Sequence, residues 1–182
     1  MNPRSKPDFV LQPDEATDHL RGPAAALVTL VEYGDFECPA CSQAYGAVNT
    51  MQAHFGHQLR FVFRHFPLRE VHSHAELAAE AAEAAGAQGK FWPMYDLLFA
   101  HPQHLKEKHL LGYAGEVGLD IARYQNEMND HVYLQRVQEH VLGGRHLGVR
   151  STPAFYVNGV LTDVSFGLHH LHEAVDKALQ RH

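Results

Sequence analysis

A near-continuous run of apolar and β-branched residues, ALVTLVEYGDF at positions 26–36, constrains the fold of this chain more than any other stretch. Such a run is typical of a strand that is buried on both faces of a sheet. Residues 42–56 then place apolar side chains at helical spacing and end at a glycine, and residues 59–68 form a second apolar run. Strand, helix and strand in this order predict a parallel pair of strands joined by a right-handed crossover.

The rest of the chain predicts a block of helices followed by a return to the sheet. Residues 71–145 contain an alanine-rich segment and several further helical signals, and the block stops at a pair of glycines. Residues 154–157 and 160–164 are predicted strands, and Asn158 and Gly159 between them favour a tight hairpin turn. The amphipathic segment HHLHEAVDKAL closes the chain. These elements indicate an α/β protein.

Composition and charge exclude several classes of protein. The chain has 182 residues, a net charge of −6 and a pI near 6.2, whereas a general nucleic-acid binder usually presents a basic face. No stretch approaches the roughly 18 unbroken apolar residues of a transmembrane helix. Residues 1–22 carry charges and prolines where a secretory signal carries an apolar segment. We therefore predict a cytoplasmic protein that binds neither nucleic acid nor membrane.

The two cysteines, Cys38 and Cys41, stand at the expected start of the first long helix. A disulfide between them would close almost no loop and would therefore stabilise the fold little. A chain of this length buries about 70% of its unfolded surface and needs no disulfide for stability. At a helix start, unpaired backbone N–H groups and the helix dipole stabilise a thiolate, which predicts Cys38 as a nucleophile. Pro39 fits the first turn. Cys41, more covered, is then placed to attack a mixed disulfide on Cys38.

Histidines offer an alternative role for the same cysteines. A zinc or copper site needs more ligands than the two thiols, and the clusters HSH at 72–74 and HHLH at 169–172 could supply them. Nothing in the sequence ties either cluster to the cysteines, so solvated surface histidines are the simpler interpretation of both. We predict no metal and no cofactor.

Three local features carry a family resemblance. They are CPAC at 38–41, STPAFYVNG at 151–159, and Glu32, an acidic residue six positions before the first cysteine. With them, the chain resembles the DsbA-like branch of the thioredoxin-fold superfamily over residues 25–179. The resemblance implies a thioredoxin fold, in which a mixed central sheet is flanked by helices, with an inserted helical subdomain. The implied divisions are an N-terminal extension at 1–24, a thioredoxin-like domain at 25–70 and 146–182, and the helical insertion at 71–145.

The resemblance assigns Glu32 to the position of a buried carboxylate beneath the second cysteine. From the residues alone, a single acid could also point into solvent at a strand end, but the strand around it reads as buried on both faces. Burial in an apolar site raises the pKa of a carboxyl group, which suits Glu32 to pass a proton to or from Cys41. The predicted catalytic residues are therefore Cys38, Cys41 and Glu32.

The resemblance also assigns a substrate-binding loop. Thr152 and Pro153 directly precede a predicted buried strand, where thioredoxin-fold proteins place a cis-proline opposite the dithiol and leave the neighbouring backbone free to pair with an extended substrate. From the residues alone, Pro153 is only a proline at the first position of a strand, which is a permitted place for it. With Pro39 and Ala40, the dipeptide between the cysteines, these residues form the predicted substrate-binding set.

Together these features predict a thiol–disulfide oxidoreductase that acts on protein or small-molecule thiols and disulfides and is recycled by a separate redox partner. Glu37 departs from the pattern of the thioredoxin subfamily, which usually has tryptophan directly before the nucleophile. Its negative charge tends to raise the pKa of Cys38. A reducing cytosol keeps a dithiol reduced unless its potential is very low, which favours a reductase. A non-catalytic redox-sensing or metal-sensing module that uses the same dithiol is the alternative.

Overall fold

The computed structural model describes residues 11–181, and the strands of this part of the chain form one sheet. The strands are β1 (His19–Arg21), β2 (Val28–Gly34), β3 (Leu59–His65), β4 (Ala154–Val157) and β5 (Val160–Thr162). The helices are α1 (Pro39–Phe55), α2 (Ala75–Gly86), α3 (Phe91–Ala100), α4 (Glu107–Glu116), α5 (Ile121–Asn129), α6 (Leu134–His146) and α7 (His169–Leu179). Over residues 11–181, no helix combines the length and the apolar character needed to cross a membrane.

The sheet has the strand order β1-β3-β2-β4-β5. Strands β2 and β3 pair in parallel, with α1 as the crossover, and the other neighbours pair antiparallel. This mixed sheet with flanking helices confirms the predicted thioredoxin fold. Strand β1 was not predicted, because three residues are too few to carry a periodic signal. It extends the edge of the sheet by pairing His19 with Phe63 and Arg21 with Phe61.

Alternation along β2 gives each face of the sheet its own core. Val28 and Leu30 belong to the larger core, which α1, α2, α3 and α7 cover, and Cys41 lies in that same core. Val31 and Tyr33 belong to a smaller core on the opposite face, to which α6 contributes. Since side chains along a strand alternate between faces, residue 32 points to the larger core, on the side of the first helix.

Helix α6 packs closely against the smaller core because it carries a glycine at the contact. A β-carbon at Gly144 would lie 2.8 Å from the ring of Phe66 and 3.0 Å from the ring of Tyr33. Distances under 3.0 Å are not tolerated without movement of a neighbour, so the absence of a side chain at Gly144 lets the helix backbone approach the sheet.

Helices α2 to α6 follow one another between β3 and β4. Helix α2 is almost entirely buried, and its alanines allow α3, α5 and α6 to lie close around it. The division of the chain into a thioredoxin-like domain and an inserted subdomain at 71–145 stays a prediction.

Candidate active site

The two cysteines lie at the start of α1. Cys38 is the N-cap residue, with extended backbone angles of φ −76° and ψ 122°, and Pro39 occupies the first turn. Both thiols are free. Cys38 is 6% exposed, whereas Cys41 is 0% exposed and lies in the larger core. The cysteine at the helix start is therefore the one that a substrate can reach.

The environment of Cys38 favours its thiolate. Hydrogen bonding from the Cys41 thiol is the largest contribution, and it lowers the pKa of Cys38 to about 5 against the opposing effect of burial. Hydrogen bonds with Thr152 and with the backbone N–H groups of Ala40 and Cys41 act in the same direction. These N–H groups belong to the first helical turn, where they have no partner within the helix. Cys38 therefore carries a negative charge at neutral pH, unlike an ordinary thiol.

Cys41 has the opposite environment. Burial raises the pKa of its thiol well above the ordinary value, and its hydrogen bond to Cys38 and the nearby charge of Glu32 act in the same direction. Because an unpaired charge in apolar surroundings is costly, Cys41 keeps its proton until a base removes it. The two thiols thus differ in both accessibility and acidity.

Glu32 lies on the central strand β2, opposite Phe63 of β3 and Phe155 of β4. It is 0% exposed, and neither carboxylate oxygen has a hydrogen-bond partner among residues 11–181. Burial, followed by the charge of Cys38, raises the pKa of Glu32 to about 8. Gly34 makes room first for the ring of Phe63, which would lie 2.5 Å from a β-carbon there, and then for Glu32 Oε1, which would lie 3.1 Å from it. A carboxyl group with this pKa exchanges its proton near neutral pH.

The loop before β4 lies against the dithiol. Cys38 Sγ is 3.5 Å from the carbonyl oxygen of Thr152, and the Thr152–Pro153 peptide bond is cis. Pro39 and Ala40 are exposed on the first turn of α1. The structure thus places all four residues of the predicted substrate-binding set at the end of the sheet where Cys38 is reached from solvent.

Sequence reasoning missed two carboxylate–histidine pairs around the nucleophile. Asp35 Oδ2 lies 2.8 Å from His72 Nδ1, and Glu37 Oε1 lies 3.0 Å from His74 Nδ1. Glu37, whose negative charge was expected to oppose the helix in part, contacts His74, and the pKa of Cys38 is lowered. The matching two-residue spacing in DFE and HSH is the sequence signal that could have suggested these pairs.

A second histidine cluster could hold a metal ion. Ligand atoms of His19, His65 and Glu83 all lie within 4.8 Å of one another. In the structure, both imidazole Nε2 atoms lie 2.8 Å from the same oxygen, Glu83 Oε1. Burial alone would raise the pKa of Glu83, but these hydrogen bonds lower it. The three residues therefore form a hydrogen-bonded group that ties β1 and β3 to α2, in which Nδ1 of His65 has no hydrogen-bond partner among residues 11–181. It involves neither of the histidine clusters considered from the sequence.

Comparison with protein families gives a match over most of the chain. The model of a family described as "Thioredoxin" matches residues 14–177. The chain therefore belongs to the thioredoxin family.

Among solved structures, a thioredoxin-like oxidoreductase from Silicibacter pomeroyi is 29% identical, with a TM-score of 0.76 over 90% of this chain and 93% of that one. Oxidised BdbD from Bacillus subtilis has a TM-score of 0.82 over 93% of this chain and 96% of that one, at 22% identity, which shows the fold. These matches show that the chain shares its fold with a thioredoxin-like oxidoreductase and with BdbD.

Curated relatives carry a different name. A protein from Salinispora arenicola named Na(+)/H(+) antiporter NhaA 1 is 46% identical over 171 residues, which are 94% of this chain but 26% of the relative. A similarly named protein from Herminiimonas arsenicoxydans is 43% identical over 83% of this chain and 24% of that protein. The chain thus spans about a quarter of the length of the curated relatives that it matches.

The prediction of a cytoplasmic protein is wrong. One of the structural neighbours is a periplasmic thioredoxin-like protein from Salmonella enterica serovar Typhimurium, with a TM-score of 0.73 over 92% of this chain at 17% identity. This finding contradicts the cytoplasmic prediction. The prediction rested on residues 1–22, of which 1–10 lie outside the described range. Since the sequence covers only part of its relatives, its first residues say nothing of targeting.

Proposed function

We propose that this protein exchanges disulfides with protein thiols and disulfides, with Cys38 as the nucleophile and Cys41 as the resolving cysteine. The observation that carries the proposal is the contrast between the two thiols. One is a thiolate at a helix start with a pKa of about 5, and the other is fully buried with a raised pKa. A thiolate is the attacking species in exchange, so the reachable, acidic thiol reacts first.

The reaction balances over two exchange steps. The Cys38 thiolate attacks one sulfur of a substrate disulfide, the substrate S–S bond breaks, and one substrate thiolate leaves. Cys41 then loses its proton and attacks Cys38, which releases the second substrate thiolate and leaves a Cys38–Cys41 disulfide. The substrate gains two electrons and the dithiol loses them. The reverse sequence oxidises two substrate thiols.

Glu32 is the base that we assign to Cys41. While Cys38 is a thiolate, its charge contributes to the raised pKa of Glu32, which is about 8. Formation of the mixed disulfide removes that charge, so the pKa of Glu32 falls and its carboxylate form is favoured at the moment when Cys41 must give up a proton. The effects of burial on Glu32 and on Cys41 also have the same sign, since each group resists ionisation. Transfer from one to the other keeps a single charge in the core.

We assign substrate positioning to Thr152 and Pro153 on one side of Cys38 and to Pro39 and Ala40 on the other. The Thr152 carbonyl oxygen, 3.5 Å from Cys38 Sγ, lies next to the reacting sulfur. Backbone groups in this position can pair with an extended peptide and thus bring its disulfide to Cys38. The exposed Pro39 and Ala40 present a small surface without charge, which places little restriction on the substrate side chain.

We further propose that the physiological direction is oxidation of substrate thiols. The argument for a reductase depended on a reducing cytosol, and that premise no longer holds. A lowered pKa at Cys38 stabilises the reduced form and makes the disulfide a stronger oxidant. The value of about 5 lies between the pKa values of about 7 and about 3.5 for the reactive cysteines of thioredoxin and DsbA. A separate redox partner must then reoxidise the dithiol.

Trapping of a mixed disulfide tests the assignment of the two cysteines. In Cys41→Ser, Cys38 can attack a substrate but cannot escape, so disulfide-linked adducts with an unfolded, disulfide-containing protein should accumulate on non-reducing gels. Cys38→Ser is the matched control and should form none. Equal adduct formation by both variants would refute the assignment. A wild-type protein that forms one adduct but shows no repeated turnover would favour the non-catalytic sensing module.

A further inference from the structure

The loop between β3 and α2, residues 68–74, is fastened to the start of α1 by two acidic residues. We call these residues the His72 loop. Asp35 accepts a hydrogen bond from the backbone N–H of Leu68 at 2.9 Å and lies 2.8 Å from His72 Nδ1. Glu37 accepts one from the backbone N–H of His74 at 2.7 Å. The loop is therefore held at both ends.

Asp35 also belongs to the turn that positions the nucleophile. Its backbone oxygen accepts the N–H of Cys38 at 3.2 Å, and its Oδ1 accepts the N–H of Glu37 at 2.8 Å. The Asp35 carboxylate is 0% exposed, so its oxygens are shielded from water. Because Asp35 holds the backbone of the Cys38 turn and the imidazole of His72 together, the histidine is fixed relative to the reactive sulfur.

His72 has one ring nitrogen on Asp35 and is otherwise surrounded by negative charge. Its side chain is 18% exposed. Burial alone would lower the pKa of His72, but the hydrogen bond to Asp35 and three neighbouring charges raise this pKa above 6.5. The charges come from Asp35 and Glu37 before the helix and from Cys38 at its start. On the loop itself, Arg69 is paired with Glu76.

We propose that His72, held by Asp35, is a positioning residue for the exchange reaction whose imidazolium charge stabilises the Cys38 thiolate. The inference rests on the proposed function of the dithiol and adds a residue to it. It also explains why Asp35 is buried next to the nucleophile without opposing its ionisation, since His72 balances the carboxylate. Glu37 Oε1 lies 3.0 Å from His74 Nδ1, so a second histidine of the His72 loop contacts an acid next to Cys38.

The test replaces His72 by asparagine, whose side-chain amide can still donate to Asp35 from the position of Nδ1. An opposite charge within about 4–6 Å lowers a pKa by about 1–3 units. Since His72 is partly exposed, we expect His72→Asn to raise the pKa of Cys38 by about one unit. The pKa is measured from the pH dependence of alkylation of reduced protein, which needs no substrate. The dithiol–disulfide equilibrium with glutathione should shift about tenfold, or about 30 mV, toward the disulfide.

Two further variants separate charge from shape. His72→Lys keeps a positive charge and should restore the low pKa of Cys38. His172→Asn is the matched control, because Nδ1 of His172 is also paired with an aspartate, Asp176, at 3.0 Å. The His172 ring packs on Phe55 at the far end of α1, so this variant should leave the pKa of Cys38 unchanged.

The inference is overturned if His72→Asn leaves the pKa of Cys38 and the glutathione equilibrium at the wild-type values. It is also overturned if the asparagine and lysine variants raise the pKa equally, because shape and not charge would then be responsible. Failure of the proposed function is a separate result, in which Cys41→Ser forms no mixed disulfide with substrate although the pKa of Cys38 is low and depends on His72.

Discussion

Replacement of Glu32 by glutamine tests the central electrostatic feature of the site. The carboxyl group is 0% exposed and has no hydrogen-bond partner among residues 11–181, and its pKa is about 8 in place of the ordinary 4.5. Glutamine keeps the shape and a neutral polar group, so it resembles the protonated form of Glu32. The variant and the wild type should therefore be about equally stable at low pH and should diverge as the wild type is forced to ionise.

The magnitude follows from the two pKa values. A group whose folded-state pKa is raised stabilises the fold fully below its unfolded-state pKa, and this contribution is lost as the pH rises through the folded-state pKa. From 4.5 to about 8, the wild type should lose about 5 kcal/mol relative to Glu32→Gln, at about 1.4 kcal/mol per pH unit. At pH 7 the difference should be about 3 kcal/mol. Oxidation of the dithiol removes the Cys38 charge, so the difference should shrink in the oxidised protein.

Urea unfolding of both reduced proteins between pH 4.5 and 8.5 measures this difference directly. Glu70→Gln, which changes an exposed carboxylate, is the control and should follow the wild-type pH dependence. Exchange kinetics give a second readout, because release of substrate from Cys38 should be slowed in Glu32→Gln once Cys41 lacks its base. A difference in unfolding free energy that does not change with pH would show that Glu32 does not titrate in an apolar site, and the reasoning would fail.

Three other outcomes follow from the structure. Iodoacetamide at pH 7 should modify Cys38 much faster than Cys41, which mass mapping would show; equal rates would contradict the pKa contrast. Gly144→Ala should lower the free energy of unfolding by about 1–3 kcal/mol, because its methyl group meets a phenylalanine ring at 2.8 Å. Asp18→Asn should cost about 3–5 kcal/mol at pH 7, because the largely buried Arg64 loses the charged partner that lies 2.7 Å away and keeps only the neutral oxygens of Tyr33 and Gln12; a loss below about 1 kcal/mol would argue against a strong pair.

The parts of the fold that could be predicted are those with a periodic signal over many residues. The apolar run at 26–36 gave β2, the helical spacing after the cysteines gave α1, and the Asn158 and Gly159 pair gave the final hairpin, where both residues do have positive φ. Strand β1 could not be found, because His19–Arg21 is stabilised as a strand only by its pairing with β3. Propensity within three residues is too weak to specify a strand.

Some residues of the candidate site could be predicted from the sequence and others could not. Cys38 and Cys41 are close in sequence, and their helix-start position follows from local rules. The prediction for Glu32 depended on which face of the sheet its side chain points to. Side chains alternate between faces along a strand, which makes this direction predictable. The pairing of Asp35 with His72 joins residues 37 positions apart, and neither residue has a local pattern that requires the other. The matching two-residue spacing in DFE and HSH is compatible with the pairing, but the path of the loop decides whether the two segments meet.

The charges of the site are coupled to its redox state. In the reduced protein at neutral pH, Cys38 holds a negative charge, Cys41 keeps its proton, and Glu32 is mostly protonated because its pKa is about 8. Oxidation removes the Cys38 charge, and with it one of the two causes that keep Glu32 neutral. The core therefore holds at most one unbalanced negative charge at each stage, first on Cys38 and later on Glu32. Since charge in an apolar site is costly, this succession explains how an acid with no partner can be retained beneath a thiolate.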